Sequence, residues 1–353
     1  MTKRFELGLD TFGDVTVDAD GRAISQSQVL RNVVEEGVLA DQVDLDFFGV
    51  GEHHRSDFAV SAPEVVLAGI AGRTEKIHLG SAVTVLSSDD PVRVYQRFAT
   101  LDGISGGRAE VILGRGSFTE SFPLFGLALS DYEELFDEKL DLFAQLRHSE
   151  AVTWSGNTRS SLVDQVVYPT TEAGPLKTWV GVGGSPESVV RAARYGMPLM
   201  LAIIGGEPSR FKPLVELYGR ALEHYGHEPQ PIGVHSPGFV ARTDGEARDQ
   251  MWPHYAAMQA RIGRDRGWSP MTRAQFDMGA DPDGAIFVGS PETVAKKIVR
   301  VADELGVSRF DLKYSHGTLP HDLMMTGIEL YGSQVAPQVR SEVAQRAEQL
   351  TPA

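Results

Sequence analysis

Short apolar runs, many of them β-branched, recur along the whole chain. They read FELGLD (5–10), DFFGVG (46–51), IHLGSAVTVL (77–86), AEVILG (109–114), TWVGVG (178–183), PLMLAII (198–204), IGVHSPGFV (232–240) and RFDLKY (309–314). Most are mainly apolar and do not alternate with polar residues, the pattern of strands covered on both faces. Helical periodicity fills the gaps. The stretch 25–42 puts Val29, Val33, Val34 and Val38 on one face, and similar patterns follow at 62–74, 91–105, 131–148, 185–196, 209–226, 244–260 and 290–306. Pro253 predicts a kink or break in the seventh of these helices. Strands alternating with helices predict a parallel α/β protein, and eight such units favour a closed (β/α)8 barrel over an open sheet. Two stretches, at about 149–177 and 261–288, are long for loops and read as insertions, candidate lids or edge elements. A helical tail is expected over about 319–348, and no linker divides residues 1–353 into separate domains.

Composition narrows the partners. Asp plus Glu number 48 against 33 Lys plus Arg, a formal charge of −15. That balance argues against nucleic acid or an anionic membrane as partner, but not against a small anion held in a locally positive pocket. There is no cysteine, which removes disulfides, thiolate catalysis and cysteine-ligated zinc or iron–sulfur centres. The start, MTKRFELGLD, is too short and polar for a signal peptide, and no apolar run approaches the ~18 residues of a membrane helix. The expectation is a soluble cytoplasmic protein.

In a barrel of this kind, chemistry belongs at the C-terminal ends of the strands. The second strand runs into Glu52-His53-His54, the fourth into Gly114-Arg115-Gly116 and the fifth into Gly183-Gly184-Ser185. Side chains alternate across a strand, so the two histidines cannot both face the mouth while the strand stays regular. That weakens a metal site. One imidazole can face the pocket and move protons near neutral pH, or serve only as a hydrogen-bonded strand end. In GVGGSPESVV a strand passes through glycines directly into a helix, whose free N–H groups attract phosphate. The dinucleotide pattern GxGxxG is not met, because Pro186 stands at its third glycine. A purely structural use is also available, with Ser185 as N-cap and Pro186 at the first helical position. GSPES (184–188) returns as GSPET (289–293), where the same capping is expected without a ligand. Arg115, between two glycines, suits either a phosphate or a carboxylate partner.

With these segments in register, the chain resembles the bacterial luciferase-like family of flavin-dependent monooxygenases. EHHRSDF (52–58), GSAVTVLSSDDPVR (80–93), DGISGGRAEVILGRGSF (102–118) and SPESVVRAARYGMPLM (185–200) carry the resemblance, with a looser match through VGSPETVAKKI. The resemblance implies a TIM barrel that binds FMN. Reduced flavin, delivered by a separate NAD(P)H:flavin reductase, would react with O2 to a C4a-hydroperoxide that oxygenates a small organic substrate. His53 matches the catalytic histidine, while His54 has a supporting role and Glu52 helps hold the pair. Ala82-Val83 matches a non-prolyl cis peptide beside the isoalloxazine ring, and the small Ser81-Ala82 pair lets the backbone approach it. Arg115, Ser185 and Ser188 match phosphate-contacting positions, next to Gly183 and Gly184. A homodimer is the family's habit, and no metal is implied. Two departures stand out. Glu133 replaces a phosphate-region arginine, so that contact must be replaced or lost. Gly114 replaces a reactive cysteine. Three other readings remain open: an F420-dependent dehydrogenase of the same superfamily, a flavin-binding protein without turnover, and a metal-dependent barrel hydrolase.

Overall fold

The apolar runs form strands where expected. They are β1 (Glu6–Thr11), β2 (Phe47–Val50), β3 (His78–Ser81), β4 (Ala109–Gly114), β5 (Lys177–Val182), β6 (Leu199–Ala202), β7 (Ile232–Val240) and β8 (Arg309–Lys313). Each pairs in parallel with its successor, and β8 returns to β1 with Glu6 opposite Arg309 and Asp10 opposite Lys313. The sheet therefore closes into the expected (β/α)8 barrel. The chain is seen in a computed structural model that describes residues 4–18, 20–116, 118–148 and 150–350; Ser117 and Ser149 lie outside the described residues.

Helices lie around the barrel, among them α1 (Gln26–Gln42), α2 (Pro63–Ala71), α3 (Pro91–Ser105), α4 (Tyr132–Leu146), α5 (Pro186–Arg194), α6 (Lys212–His224), α7 (Asp244–Arg266) and α8 (Pro291–Leu305), and two more, His321–Leu330 and Ala336–Leu350, follow β8. Sequence signals set their starts. Ser25, Asp90, Ser185 and Ser290 each cap the first turn with a side-chain oxygen, and prolines open α2, α3, α5 and α8. Among the described residues, no helix is long and apolar enough to cross a membrane.

Three expectations need correction. The third run, 77–86, is not one strand. It breaks after Ser81 at a cis Ala82–Val83 peptide and resumes as Thr84–Val85 beside β4. Pro253 does not break the seventh helix: α7 continues through it for 23 residues. Pro253 is exposed, and the carbonyl it cannot serve is that of Asp249, also exposed, so the lost bond costs little there. The stretch 261–288 is not a single insertion loop. It comprises the end of α7, a capped helix Arg273–Ala280 and a strand Phe287–Gly289 that pairs with Gly238–Val240. Lys297 of α8 braces this region, donating to the carbonyls of Asp281 (2.8 Å) and Ile286 (2.7 Å), and burial pushes its pKa down to about 7. The 149–177 stretch holds an antiparallel hairpin, Val152–Trp154 with Leu162–Gln165, pinned to α4 by Trp154 Nε1 donating to Asp141 at 2.9 Å.

Most of the core lies between strands and helices, and a second, small cluster fills the barrel axis with Phe47, Ala82, Ile112, Trp179 and Met200. At the N-terminal end of the strands the axis is closed by charge. The fully buried Arg309 pairs with Glu110 (2.7 Å) and Asp311 (2.8 Å), its guanidinium 3.6 Å from the centre of the Phe47 ring. Such a network satisfies its own charges. The opposite end of the barrel is left for chemistry.

Candidate active site

The segment after β2 places the first group. Gly51 is required at its start: a Cβ there would lie 2.4 Å from Phe12 and 2.6 Å from the Ala82 carbonyl oxygen. The His53 amide donates to Val60 O at 3.0 Å, folding the segment back on itself. The His53 ring sits among Phe58 (4.4 Å between centroids), Phe118 (4.7 Å) and Phe12 (5.0 Å), and its Nδ1 lies 3.1 Å from Glu120 Oε1. Burial acts to raise the Glu120 carboxyl, but the bond with His53 and the nearby backbone amides outweigh it and hold it below the ordinary range.

The two histidines are unequal, although they lie past the end of β2 and strand alternation does not decide it. His54 turns elsewhere, edge-on to Phe125 at 5.0 Å, and burial lowers its pKa. The expected supports of His53 are corrected here. Neither Glu52 nor His54 bonds its ring. The Glu52 carboxyl instead accepts the Val85 amide at 3.1 Å, and burial pushes its pKa up to about 8. Glu120, 67 residues away in sequence, is the partner that sequence reasoning missed.

Beside this ring the cis Ala82–Val83 unit projects between glycines. A Cβ on Gly49 would meet Ala82 Cβ at 2.9 Å, one on Gly114 would meet Val83 Cγ2 at 2.6 Å, and one on Gly181 would meet Val83 Cγ1 at 3.1 Å. Ser81 is fully buried; its hydroxyl donates to Ile112 O at 3.2 Å and accepts from Thr84 Oγ1 at 2.8 Å, which commits it to the wall.

The third group lies at the end of β5. Gly183 and Gly184 are exposed, and no atom lies within 4 Å of a Cβ added at Gly183. Gly184 has φ +120°, which an L side chain rarely adopts. Ser185 caps α5 by accepting the Ser188 amide at 3.2 Å, and its hydroxyl lies 3.1 Å from Ser188 Oγ. The helix start is not free of carboxylates. Glu187 takes its own amide and the Ser185 hydroxyl (3.0 Å), which lower its pKa.

Arg115 stacks on Tyr132, 5.2 Å from the ring centre, and pairs with Glu133. Arg115 therefore has a carboxylate partner within the chain. Glu133 does more than replace an arginine: its other oxygen lies 3.2 Å from Arg191 Nη2, so one carboxylate spans two guanidiniums. Arg191 was missed, although its position three residues after Ser188 gave the signal; its Nη1 donates to Ser188 Oγ at 3.4 Å, and its Nε pairs with Asp137.

A further pair lies on the far side. Asp10 Oδ2 is 2.6 Å from His235 Nδ1, while its buried Oδ1 has no partner. Desolvation works against charging His235, but Asp10 prevails and its pKa is raised. Phe12 links the two sides, stacked 6.5 Å from His235 and edge-on to His53. The start of the 261–288 stretch folds over the His53 loop: Arg55 donates to Asp265 at 2.7 Å, Arg261 lies 3.4 Å from Asp57, and Arg266 covers Phe118 at 4.8 Å. Among the described residues, no group of three or more His, Cys, Asp or Glu could hold a metal ion.

His53, the Ala82–Val83 peptide, Arg115 and the Ser185–Ser188 turn thus follow four neighbouring strands, β2 to β5, along one arc of the rim. A family model described as luciferase-like monooxygenase matches residues 11–309. The chain belongs to the luciferase-like monooxygenase family. It is 30% identical over 306 residues to the N-acetyl-S-alkylcysteine monooxygenase of Bacillus subtilis (strain 168), covering 82% of this chain and 88% of the relative. It is 26% identical to an alkanal monooxygenase alpha chain of Photorhabdus luminescens over 67% of this chain, a match that spans only 65% of the relative's length. Among solved structures, the oxygenating constituent of 3,6-diketocamphane monooxygenase from Pseudomonas putida, in complex with FMN, superposes with a TM-score of 0.76 at 21% identity, covering 96% of this chain and 99% of that one. An F420-dependent secondary alcohol dehydrogenase superposes with a TM-score of 0.74 at 17% identity over 96% and 99%. At these identities the likeness is one of fold, and the same barrel serves both cofactors.

Proposed function

We propose that the chain is an FMN-dependent monooxygenase that takes reduced flavin from a separate NAD(P)H:flavin reductase and oxygenates a small, largely apolar organic substrate. The observation that carries this reading is the arc itself: an imidazole with a carboxylate partner at one end, a hydroxyl-and-arginine anion cradle at the other, and a glycine-walled backbone shelf between them. The parts fit a flavin. Ser185, Ser188, Arg115 and Arg191 would hold its phosphate, and Gly183 with Gly184 leaves room for it. The Ala82–Val83 shelf would support the ring. Reduced FMN, when bound, supplies the two electrons that divide O2 between the substrate and water.

The protein's own share is proton control and exclusion of water. With Glu120 ionised, the bond at His53 Nδ1 keeps a proton on that nitrogen and leaves Nε2 as the acceptor. Phe12, Phe58 and Phe118 shield the ring, and Arg55, Asp265 and Arg266 fasten the cover above it. The aromatic lining is the reason for expecting an apolar substrate.

The test is anaerobic titration with reduced FMN, then oxygen uptake over a panel of aldehydes, ketones and thioethers. His53→Ala should keep FMN binding and lower substrate-stimulated uptake by about 10²–10⁴-fold. FMN bound with no stimulated uptake would make it a flavin-binding protein. Tight binding of F420 in place of FMN, seen in the absorbance of the bound cofactor, would make it a hydride-transferring dehydrogenase.

A further inference from the structure

The cations of the anion cradle are already outnumbered by the chain's own carboxylates. The two, Arg115 and Arg191, face Glu133, Asp137 and Glu187, and Glu133 spans both guanidiniums at once. Glu133 stands in the first turn of α4, where an acid is favoured by the helix whether or not it contacts arginine. It is also 60% exposed, so water can take over its bonds when it swings away from the two guanidiniums.

We propose that Glu133 is an internal competitor for the cradle, occupying the place of the cofactor's phosphate, so that the phosphate adds little to the chain's hold on FMN. This rests on the flavin reading above and adds a chemical reason for release. A phosphate dianion entering the cradle must either displace the carboxylate from two guanidiniums or sit beside it as a like charge. Both routes weaken binding of a phosphorylated flavin. Neither touches an unphosphorylated one. The chain therefore discriminates poorly between FMN and riboflavin, and oxidised FMN leaves readily after each turnover.

The experiment compares the full-length protein with Glu133→Gln, which keeps shape and removes charge. FMN, riboflavin and inorganic phosphate are titrated separately, flavins by fluorescence quenching and phosphate by calorimetry, with thermal melts to show that both proteins are folded. Glu133→Gln should bind FMN about tenfold more tightly, equivalent to about 1.4 kcal/mol. Riboflavin affinity should stay within about twofold, phosphate should tighten in parallel with FMN, and stopped-flow release of oxidised FMN should slow. Arg115→Ala should cost FMN affinity more in the Glu133→Gln background than in the original, because there no carboxylate competes with phosphate for the guanidinium. Unchanged or weaker FMN binding in Glu133→Gln, with riboflavin still bound, would overturn the competitor role and leave the flavin reading standing. If neither flavin binds either protein, the flavin reading fails. The phosphate titration then decides the competitor alone: tightening supports it and no change overturns it.

Discussion

Two copies of one short sequence can be compared within this barrel. Gly184-Ser185-Pro186-Glu187-Ser188 starts α5, and Gly289-Ser290-Pro291-Glu292-Thr293 starts α8. Both are built alike: the first serine accepts the amide three residues on, at 3.2 Å in one and 3.4 Å in the other, and proline takes the first helical position. They differ in what stands in front. At the second copy Asp244 Oδ1 accepts the Ser290 amide at 2.7 Å and would lie 2.7 Å from a Cβ on Gly289. At the first, the space at Gly183 and Gly184 is open, and two arginines stand nearby. The motif alone therefore specifies a helix start. Whether it serves an anion depends on what faces it: at the second copy a carboxylate bonds the helix-start amide itself, while at the first Glu133 pairs with the two arginines.

The largest test of this difference is steric. Gly289→Val forces side-chain atoms into a buried strand against Asp244 and Thr293 and should cost about 1–3 kcal/mol in chemical denaturation. A Cβ at Gly183 meets nothing within 4 Å, so Gly183→Ala should leave the denaturation midpoint unchanged, yet weaken FMN binding about tenfold or more, equivalent to about 1.4 kcal/mol. Equal effects on stability at the two sites would erase the distinction.

The next effect is that of the caps. Ser290→Ala and Ser185→Ala should each cost about 1 kcal/mol of stability, since each removes one side-chain acceptor from a helix start. Only Ser185→Ala should also weaken FMN. An equal loss of FMN affinity from Ser290→Ala would mean that α8 contributes to the cradle.

The fold was legible because strands buried on both faces carry their signal in consecutive residues. IGVHSPGFV (232–240) forms β7 over that whole run. The boundaries that moved did so for tertiary reasons: the run at 77–86 divides at Ala82–Val83, and α7 passes through an exposed proline. In the site, the residues in local motifs were legible: His53, Arg115, Ser185 and Ser188. Their partners were not. Glu120 reaches His53 across 67 positions, and Asp10 meets His235 across 225, distances that only barrel closure spans. Glu133 was noticed as an acid in place of a cation, but local reasoning could only make it a repulsion. Its role depends on Arg191, whose only sequence signal was its place three residues after Ser188.

The smallest effect bears most directly on why the second copy is closed. Burial raises the Asp244 carboxyl, but the Ser290 amide and the hydroxyls of Thr293 and Ser290 outweigh it, so its pKa is depressed. A depressed acid contributes stability that is present above its unfolded pKa, near 3.9, and is lost as pH falls through the lower folded value. Asp244→Asn should therefore be less stable than the original at pH 7, by up to about 1 kcal/mol for an exposed carboxylate at a helix start. The gap should narrow below pH 4 and close once the acid is protonated in both states. Urea midpoints at pH 7, 5 and 3 measure it. The same variant should begin to tighten inorganic phosphate, since it removes the negative charge that bonds the Ser290 amide. A gap that persisted at pH 3 would show that Asp244 acts there by packing against Gly289 and not by charge, and openness at Gly183 alone would then separate the two copies.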